Sequence, residues 1–224
     1  MLENKEEQMS ESYLLGALLA AVGGYLDAYT YVCRGQVFAN AQTGNMVLMG
    51  IQLAQGHVRQ ALYYLVPILT FFVGICFVEL LRHRCPAGGR LHWRQGAIAI
   101  EFVALAAVAF LPQESYNPLA IIVVSFVCAV QAQSFRKFNG NAFASTMCTG
   151  NLRSASEHFY RFTSSRNRQE LYICLEYLLI IGFFILGAGA GCFLTRLYDI
   201  KAVWLVCVAL ALAFVLMVKR PAQQ

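Results

Sequence analysis

The chain has 224 residues, 58% of them hydrophobic and only 13% charged, with a formal net charge of +5. A soluble domain carries roughly 25% charged residues, so this composition points to lipid as the solvent and excludes an ordinary soluble globular domain. The excess of basic residues belongs to loops between apolar runs, so it argues for basic loops and against nucleic acid as a partner.

The first residues, Met1 to Glu11, are acidic and lack the basic start and small-residue cleavage site of a signal peptide. The first apolar run is therefore expected to stay in the protein. A bilayer core takes roughly 20 apolar residues per helix. Six runs qualify, at about 13–32, 61–81, 96–111, 118–135, 171–195 and 202–218. Ser12 is placed to cap the first, and Pro112 and Pro118 bracket the turn between the third and fourth. Trp93, Tyr172 and the pair Tyr63-Tyr64 sit where interfacial aromatics belong.

Loop charges predict the orientation. With the N-terminus in the cytoplasm, Lys5, Arg82, Arg84, Arg90, Arg94, Arg136, Lys137, Arg153, Arg161, Arg166, Arg168, Lys219 and Arg220 all lie inside. Only Arg34, Arg59, Arg196 and Lys201 lie outside. That asymmetry places both termini in the cytoplasm.

Two long connections remain, 33–60 and 136–170, and they carry a repeated motif. Phe38-Ala39-Asn40-Ala41-Gln42-Thr43-Gly44-Asn45 returns as Phe143-Ala144-Ser145-Thr146-Met147-Cys148-Thr149-Gly150-Asn151. Aligning the Thr-Gly-Asn triplets sets Asp27 opposite Gln133 and Tyr29 opposite Phe135. Each half then reads helix, motif segment, helix, helix. With three spans per half, the second half enters the membrane the opposite way round, as in the inverted repeats of many transporters. The predicted fold is thus an all-α membrane protein of six transmembrane helices plus two re-entrant half-helices, built as two inverted three-helix repeats. Residues 1–12 form a cytoplasmic segment. The first repeat takes 13–112 with its re-entrant segment at about 34–58, and the second takes 113–220 with its own at about 138–163.

The apolar stretch after Asn45 is too short to span, since a helix from Asn45 to about His57 rises roughly 1.5 Å per residue. Thr43 and Asn45, and Thr149 and Asn151, are expected as N-cap residues, with Gly44 and Gly150 permitting a tight turn. Irregular backbone at membrane depth is tolerated only inside protein or beside a water-filled cavity. Two helix N-termini meeting there would offer N–H donors to a polar or anionic ligand.

Carboxylates inside spans are costly and mark functional candidates. Asp27 leads, following Gly23-Gly24 in the repeat-matched part of the first helix. It suits an amine, a cation or a coupling proton, or a structural hydrogen bond to the re-entrant backbone. Glu79, beside Arg82, reads as a snorkelled ion pair, and Glu101 and Glu176 read equally as interfacial salt bridges or a proton path. Asn40, Gln42 and Gln131 are supporting polar groups. Gly187-Ala188-Gly189-Ala190-Gly191 is a small-residue face for tight packing, within the monomer or in a homodimer. The eight cysteines are scattered, with no Cys-x-x-Cys and no histidine at ligand spacing, so no metal or cofactor is predicted. No catalytic motif emerges, and an enzyme is not expected.

Gly24-x-x-Asp27, Val37 to Asn45 and Thr146 to Leu152 resemble the YoaK-type family of small bacterial multi-pass membrane proteins. The resemblance covers nearly the whole chain and implies about six helices in a bacterial inner membrane, without assigning an activity. The Gly-x-Gln-Asn that often precedes the second motif in that family reads Ala129-Val130-Gln131-Ala132 here. The leading expectation is a secondary transporter of a small polar or anionic solute. Its rival is a non-transporting assembly or regulatory protein that docks through the basic 136–168 loop.

Overall fold

The computed structural model describes residues 13–84, 93–138, 141–142 and 148–218. The first half contains α1 (Tyr13–Cys33), α2 (Gln42–Ala54), α3 (Val58–Arg84) and α4 (Trp93–Val108). The second contains α5 (Asn117–Ser134), α6 (Cys148–Ser165), α7 (Arg168–Tyr198) and α8 (Val203–Val218). A four-residue 3₁₀ turn, Asp199–Ala202, joins α7 to α8, and a two-residue antiparallel pair, Lys137–Phe138 with Asn141–Ala142, follows α5. Each predicted apolar run falls on a helix. Among the described residues, three stretches are long and apolar enough to cross a membrane: Val58–Arg84, Asn117–Ser134, and Arg168–Met217, which contains α7 and most of α8. The predicted cap Ser12 and the part of the second motif at 143–147 lie outside the described residues.

α1 is the helix with the most buried residues, thirteen of its twenty-one. Leu15, Leu19, Ala20, Leu26 and Tyr29 on it are at most 1% exposed, and it packs on α5, α7 and α8. An interior helix meets protein on most sides, so it accommodates Gly23, Gly24 and Asp27. The other packings pair α3 with α5, α2 with α3, α6 with α7, α4 with α8 and α4 with α5. Outward faces carry Leu69, Phe72, Val73, Leu179, Leu186 and Phe193, all more than half exposed, which suits acyl chains.

The α1–α7 crossing is close because it is lined with glycine. A Cβ on Gly187 would lie 2.0 Å from the Ala21 carbonyl oxygen, and one on Gly24 would lie 2.1 Å from that of Phe184. The small-residue face through Gly187 and Gly191 is thus filled by α1 of the same chain, whereas a Cβ on Gly189 meets nothing within 4 Å.

The far end of α1 holds a buried cation that the sequence placed in an outer loop. Arg34 is 0% exposed. Its guanidinium donates to the carbonyl oxygens of Val108 (3.1 Å), Leu111 (3.0 Å) and Pro112 (3.3 Å), and to Asn117 Oδ1 (3.3 Å). It also donates to the Tyr29 hydroxyl at 3.1 and 3.2 Å. Val108 ends α4, so Arg34 adds donors to the last carbonyl of that helix and to the turn beyond it, at the negative end of its dipole. Tyr25 and Tyr29 bind the α7–α8 turn in parallel, through the carbonyls of Ala202 (2.8 Å) and Ile200 (3.2 Å). One helix end therefore anchors the turns of both halves.

Candidate functional site

The chain breaks after α1 and resumes helix at Gln42, and what holds that break together is Asp27. Its Oδ1 accepts the backbone N–H of Asn40 at 2.6 Å and of Ala41 at 3.4 Å. Asn40 is buried and donates its side-chain amide to the Gly23 carbonyl at 3.2 Å. Asp27 Oδ2 and Asn40 Oδ1 are buried without a hydrogen-bond partner among the described residues. Asp27 thus sits where an anion binds a helix N-terminus, with one oxygen committed and one free.

The triplet does not cap the helix as expected. The N-cap position is Ala41, which offers no side-chain bond, and Thr43, Gly44 and Asn45 lie within the first turn of α2. Asp27 holds the two residues just ahead of the helix, Asn40 and Ala41, by their backbone N–H groups. Asn45, 0% exposed, turns its side chain back on the incoming chain instead. Its Nδ2 donates to the Phe38 carbonyl (2.7 Å) and to Gln42 Oε1 (2.9 Å), and its Oδ1 accepts the Phe38 N–H (2.9 Å). Gln42 in turn donates to the Ala39 carbonyl at 2.9 Å. Gly44 is needed because the Phe38 ring lies over it, 2.9 Å from where a Cβ would stand. Thr43 is exposed. Replacing Asn45 by alanine should therefore cost stability, about 2 kcal/mol for three lost bonds and an orphaned Phe38 backbone. Thermal unfolding in detergent should fall by about 4–8 °C; an unchanged midpoint would remove Asn45 from this structural role.

The second triplet repeats the placement. α6 begins at Cys148, the residue that aligns with Gln42, so Thr149, Gly150 and Asn151 again occupy the first turn. Thr149 and Gly150 are exposed, and Asn151 is buried at 3%. Cys148 lies within electrostatic range of Asp27. The carboxylate that holds the start of α2 by hydrogen bonds thus also acts electrostatically on the first residue of α6.

From α5, Cys128 meets the Asn40 side chain. Gln131, 1% exposed, donates to the Leu19 carbonyl at 3.0 Å, and its Oε1 is left without a partner among the described residues. Leu19, Gly23 and Asp27 are four apart, one stripe of α1, so Gln131, Asn40 and Asp27 form a continuous buried polar seam. Gln133 faces away, donating to Glu79, which also pairs with Arg82 at 3.1 Å. The snorkelled pair expected at Glu79 is thus present. The histidines are better partnered than the sequence implied: His158 Nδ1 lies 2.6 Å from Glu170 Oε2, and His57 bonds Gln52.

An apolar cavity of about 480 Å³ lies between α3, α4 and α5. Leu69, Val73, Ile100, Ile122 and Phe126 line it, and none of the predicted site residues does.

A family model described as "Protein of unknown function (DUF1275)" matches residues 15–216. The chain belongs to that family. The UPF0700 transmembrane protein YoaK of Bacillus subtilis (strain 168) is 25% identical over 147 residues, covering 63% of this chain and 64% of that protein. The match therefore spans less than two thirds of the relative's length. No solved structure matches the chain. Together with its long apolar helices, these findings make the chain a membrane protein of the DUF1275 family. Among the described residues of this family member, no group of three or more histidine, cysteine, aspartate or glutamate side chains is placed to hold a metal ion.

Proposed function

We propose that the protein is a secondary transporter of a small polar solute, working between two inverted repeats in a bacterial cytoplasmic membrane with both termini inside. The observation that carries this reading is the buried carboxylate of Asp27, bonded to Asn40 and Ala41 at the break before α2 and with one oxygen left free, with Cys148 at the start of α6 within its electrostatic range. Broken helices meeting at a buried polar group are how membrane transporters build solute and ion sites.

The packing supports the repeat. Exchanging the two halves turns α1–α7 into α5–α3, α2–α3 into α6–α7 and α4–α5 into α8–α1, while α1–α5 and α4–α8 map onto themselves. Each of these packings therefore has its counterpart. The basic asymmetry of the loops supports the orientation more strongly once Arg34 is taken out of the outer set, because it is buried.

The chemistry of the seam narrows the solute. Asp27 already supplies the anion at the start of α2, which removes the reason to expect an anionic solute there. What remains free is a row of acceptors, Asp27 Oδ2, Asn40 Oδ1 and Gln131 Oε1, which calls for a solute that donates hydrogen bonds or carries positive charge. Thermal-shift screening of amines, amino acids, polyols and carboxylates against the purified protein tests this. A solute at a hundred times its Kd stabilises by about 2.7 kcal/mol, or about 5–10 °C for a chain of this length. Asp27→Asn should abolish the shift. A library in which nothing stabilises the wild type, or a shift that survives Asp27→Asn, would count against the assignment.

A further inference from the structure

The ends of α3, α4 and α5 that lie together are basic. α3 closes on Arg82, His83 and Arg84, α4 carries Arg94 in its first turn, and Arg136 follows α5. Gln133 of α5 donates to Glu79 of α3, which pairs with Arg82 at 3.1 Å, so these two ends meet. Val78, Ala97 and Val130, one from each helix, pack in a single buried cluster, which brings the start of α4 beside them. Arg84 and Arg136 are exposed, and among the described residues at these ends Glu79 is the one carboxylate.

Deeper along the same three helices lies the apolar groove of about 480 Å³. α5 is its floor, since α3 and α4 both pack on it, and the rims face outward: Val73 is 56% and Ile100 44% exposed. Among the described residues of its lining only Thr70 is polar, so it suits an apolar group. The groove takes one turn of α3, 69–73, and one of α4, 100–104, or roughly 6 Å of height. A helix, about 10–12 Å across, does not enter it, whereas the end of an acyl chain does. The depth also matches a lipid. Val73 lies eleven residues before Arg84, about 16 Å along α3, and half of a bilayer's hydrocarbon core is about 15 Å. A track joins the two levels: Gly96, Ile100 and Ala104 are four apart on one face of α4. A Cβ on Gly96 would meet nothing within 4 Å, so the way from Arg94 to the groove is open there.

We propose that α3, α4 and α5 hold an anionic phospholipid. Its phosphate lies against the cations at the basic ends, and one acyl chain runs over Gly96 and ends in the groove. The cations select the headgroup charge, and the groove fixes the depth of the chain. The lipid site is separate from the Asp27 seam, and its test needs no transported solute.

The probe is phosphatidylglycerol with a photoactivatable diazirine near the end of one acyl chain, with phosphatidylcholine of the same chains as the neutral control. Each is added as a trace to phosphatidylcholine vesicles holding the full chain, and adducts are read by peptide mass spectrometry after illumination. Phosphatidylglycerol adducts are expected on the peptides of Val73, Ile100 and Phe126 in excess over those of Leu186 and Phe193 on α7, which are 69% and 63% exposed and serve as ordinary lipid contacts. The charged lipid should label the groove about fivefold more than the neutral one for each basic residue engaged. Arg84→Gln combined with Arg136→Gln, both at exposed positions, should remove most of that excess. Gly96→Leu, which open space admits, should bring groove labelling down to the α7 level and leave the unfolding midpoint near that of the wild type. Adducts spread evenly over the groove and α7, or equal labelling from the two lipids, overturn the proposal. Groove labelling that ignores Gly96→Leu overturns the track and with it the placing of the chain.

Discussion

Arg34→Ala should lose about 3–5 kcal/mol of stability, the scale for removing one member of a buried charged network. The midpoint of thermal unfolding in detergent should fall by about 6–20 °C. The substitution takes away the donor shared by the Val108, Leu111 and Pro112 carbonyls and Asn117 Oδ1 and leaves a hole where a fully buried side chain stood. It also releases the Tyr29 hydroxyl, so the end of α1 loses its hold on the α4–α5 turn. Arg34→Lys separates charge from geometry. A lysine keeps the positive charge at the negative end of α4, but as a single point it cannot reach the same spread of acceptors, so it should recover only part of the loss. An Arg34→Ala protein that melts with the wild type would show that the carbonyls find other partners. Loss in alanine with full recovery in lysine would show that charge alone matters.

Arg34 also marks where sequence reading stops. The helices were legible because each apolar run had a helix's length, and each coincides with one, although only three stretches of the described residues are long and apolar enough to cross a membrane. The broken segment was legible too, since residues 46–53 are too apolar for an aqueous loop and too short to span. Asp27 could be singled out because a carboxylate inside an apolar run has few benign explanations. Arg34, one residue past the end of α1, looks the same in sequence whether it faces water or folds inward. Only the position of the α4–α5 turn, 74 or more residues away, decides that. Glu101 was open to a salt bridge for the same reason: its depth in α4 depends on which helices cover it, and the structure covers it on the sides of α5 and α8. The triplets were found as motifs but misread as caps. Their spacing fits a cap, but the helix begins at Gln42, ahead of the triplet, so Thr43 to Asn45 fall inside its first turn and Asn45 turns back to bind Phe38, while Asp27 holds the N–H groups of Asn40 and Ala41 just before the helix.

Gly187→Ala and Gly189→Ala add the same methyl group two residues apart on α7, yet their effects should be opposite. At Gly187 the new carbon would stand 2.0 Å from the Ala21 oxygen and 2.7 Å from its Cα and carbonyl carbon, all backbone atoms of a packed helix. Relief requires α1 and α7 to part, which also disturbs the close approaches of Gly24 to Phe184 and of Gly191 to Tyr25. Overpacking against rigid backbone is expected to cost about 3 kcal/mol or more. At Gly189 there is open space within 4 Å, so the better helix propensity of alanine should leave the protein as stable or raise its stability by up to about 1 kcal/mol. Unfolding midpoints of the two variants in one detergent make the comparison, with light scattering on the same samples. If the Gly187 face instead joined two copies of the chain, Gly187→Ala would change the molar mass in solution and leave the monomer's stability near that of the wild type. The crossing matters for the site as well as the fold. Gly191 lies against Tyr25 and Ala28, on either side of Asp27. Any parting of α1 from α7 therefore shifts Asp27 relative to Asn40, whose N–H it holds at 2.6 Å. A Gly187→Ala protein that still folds should consequently lose any solute-induced thermal shift along with its stability, whereas Gly189→Ala should keep both.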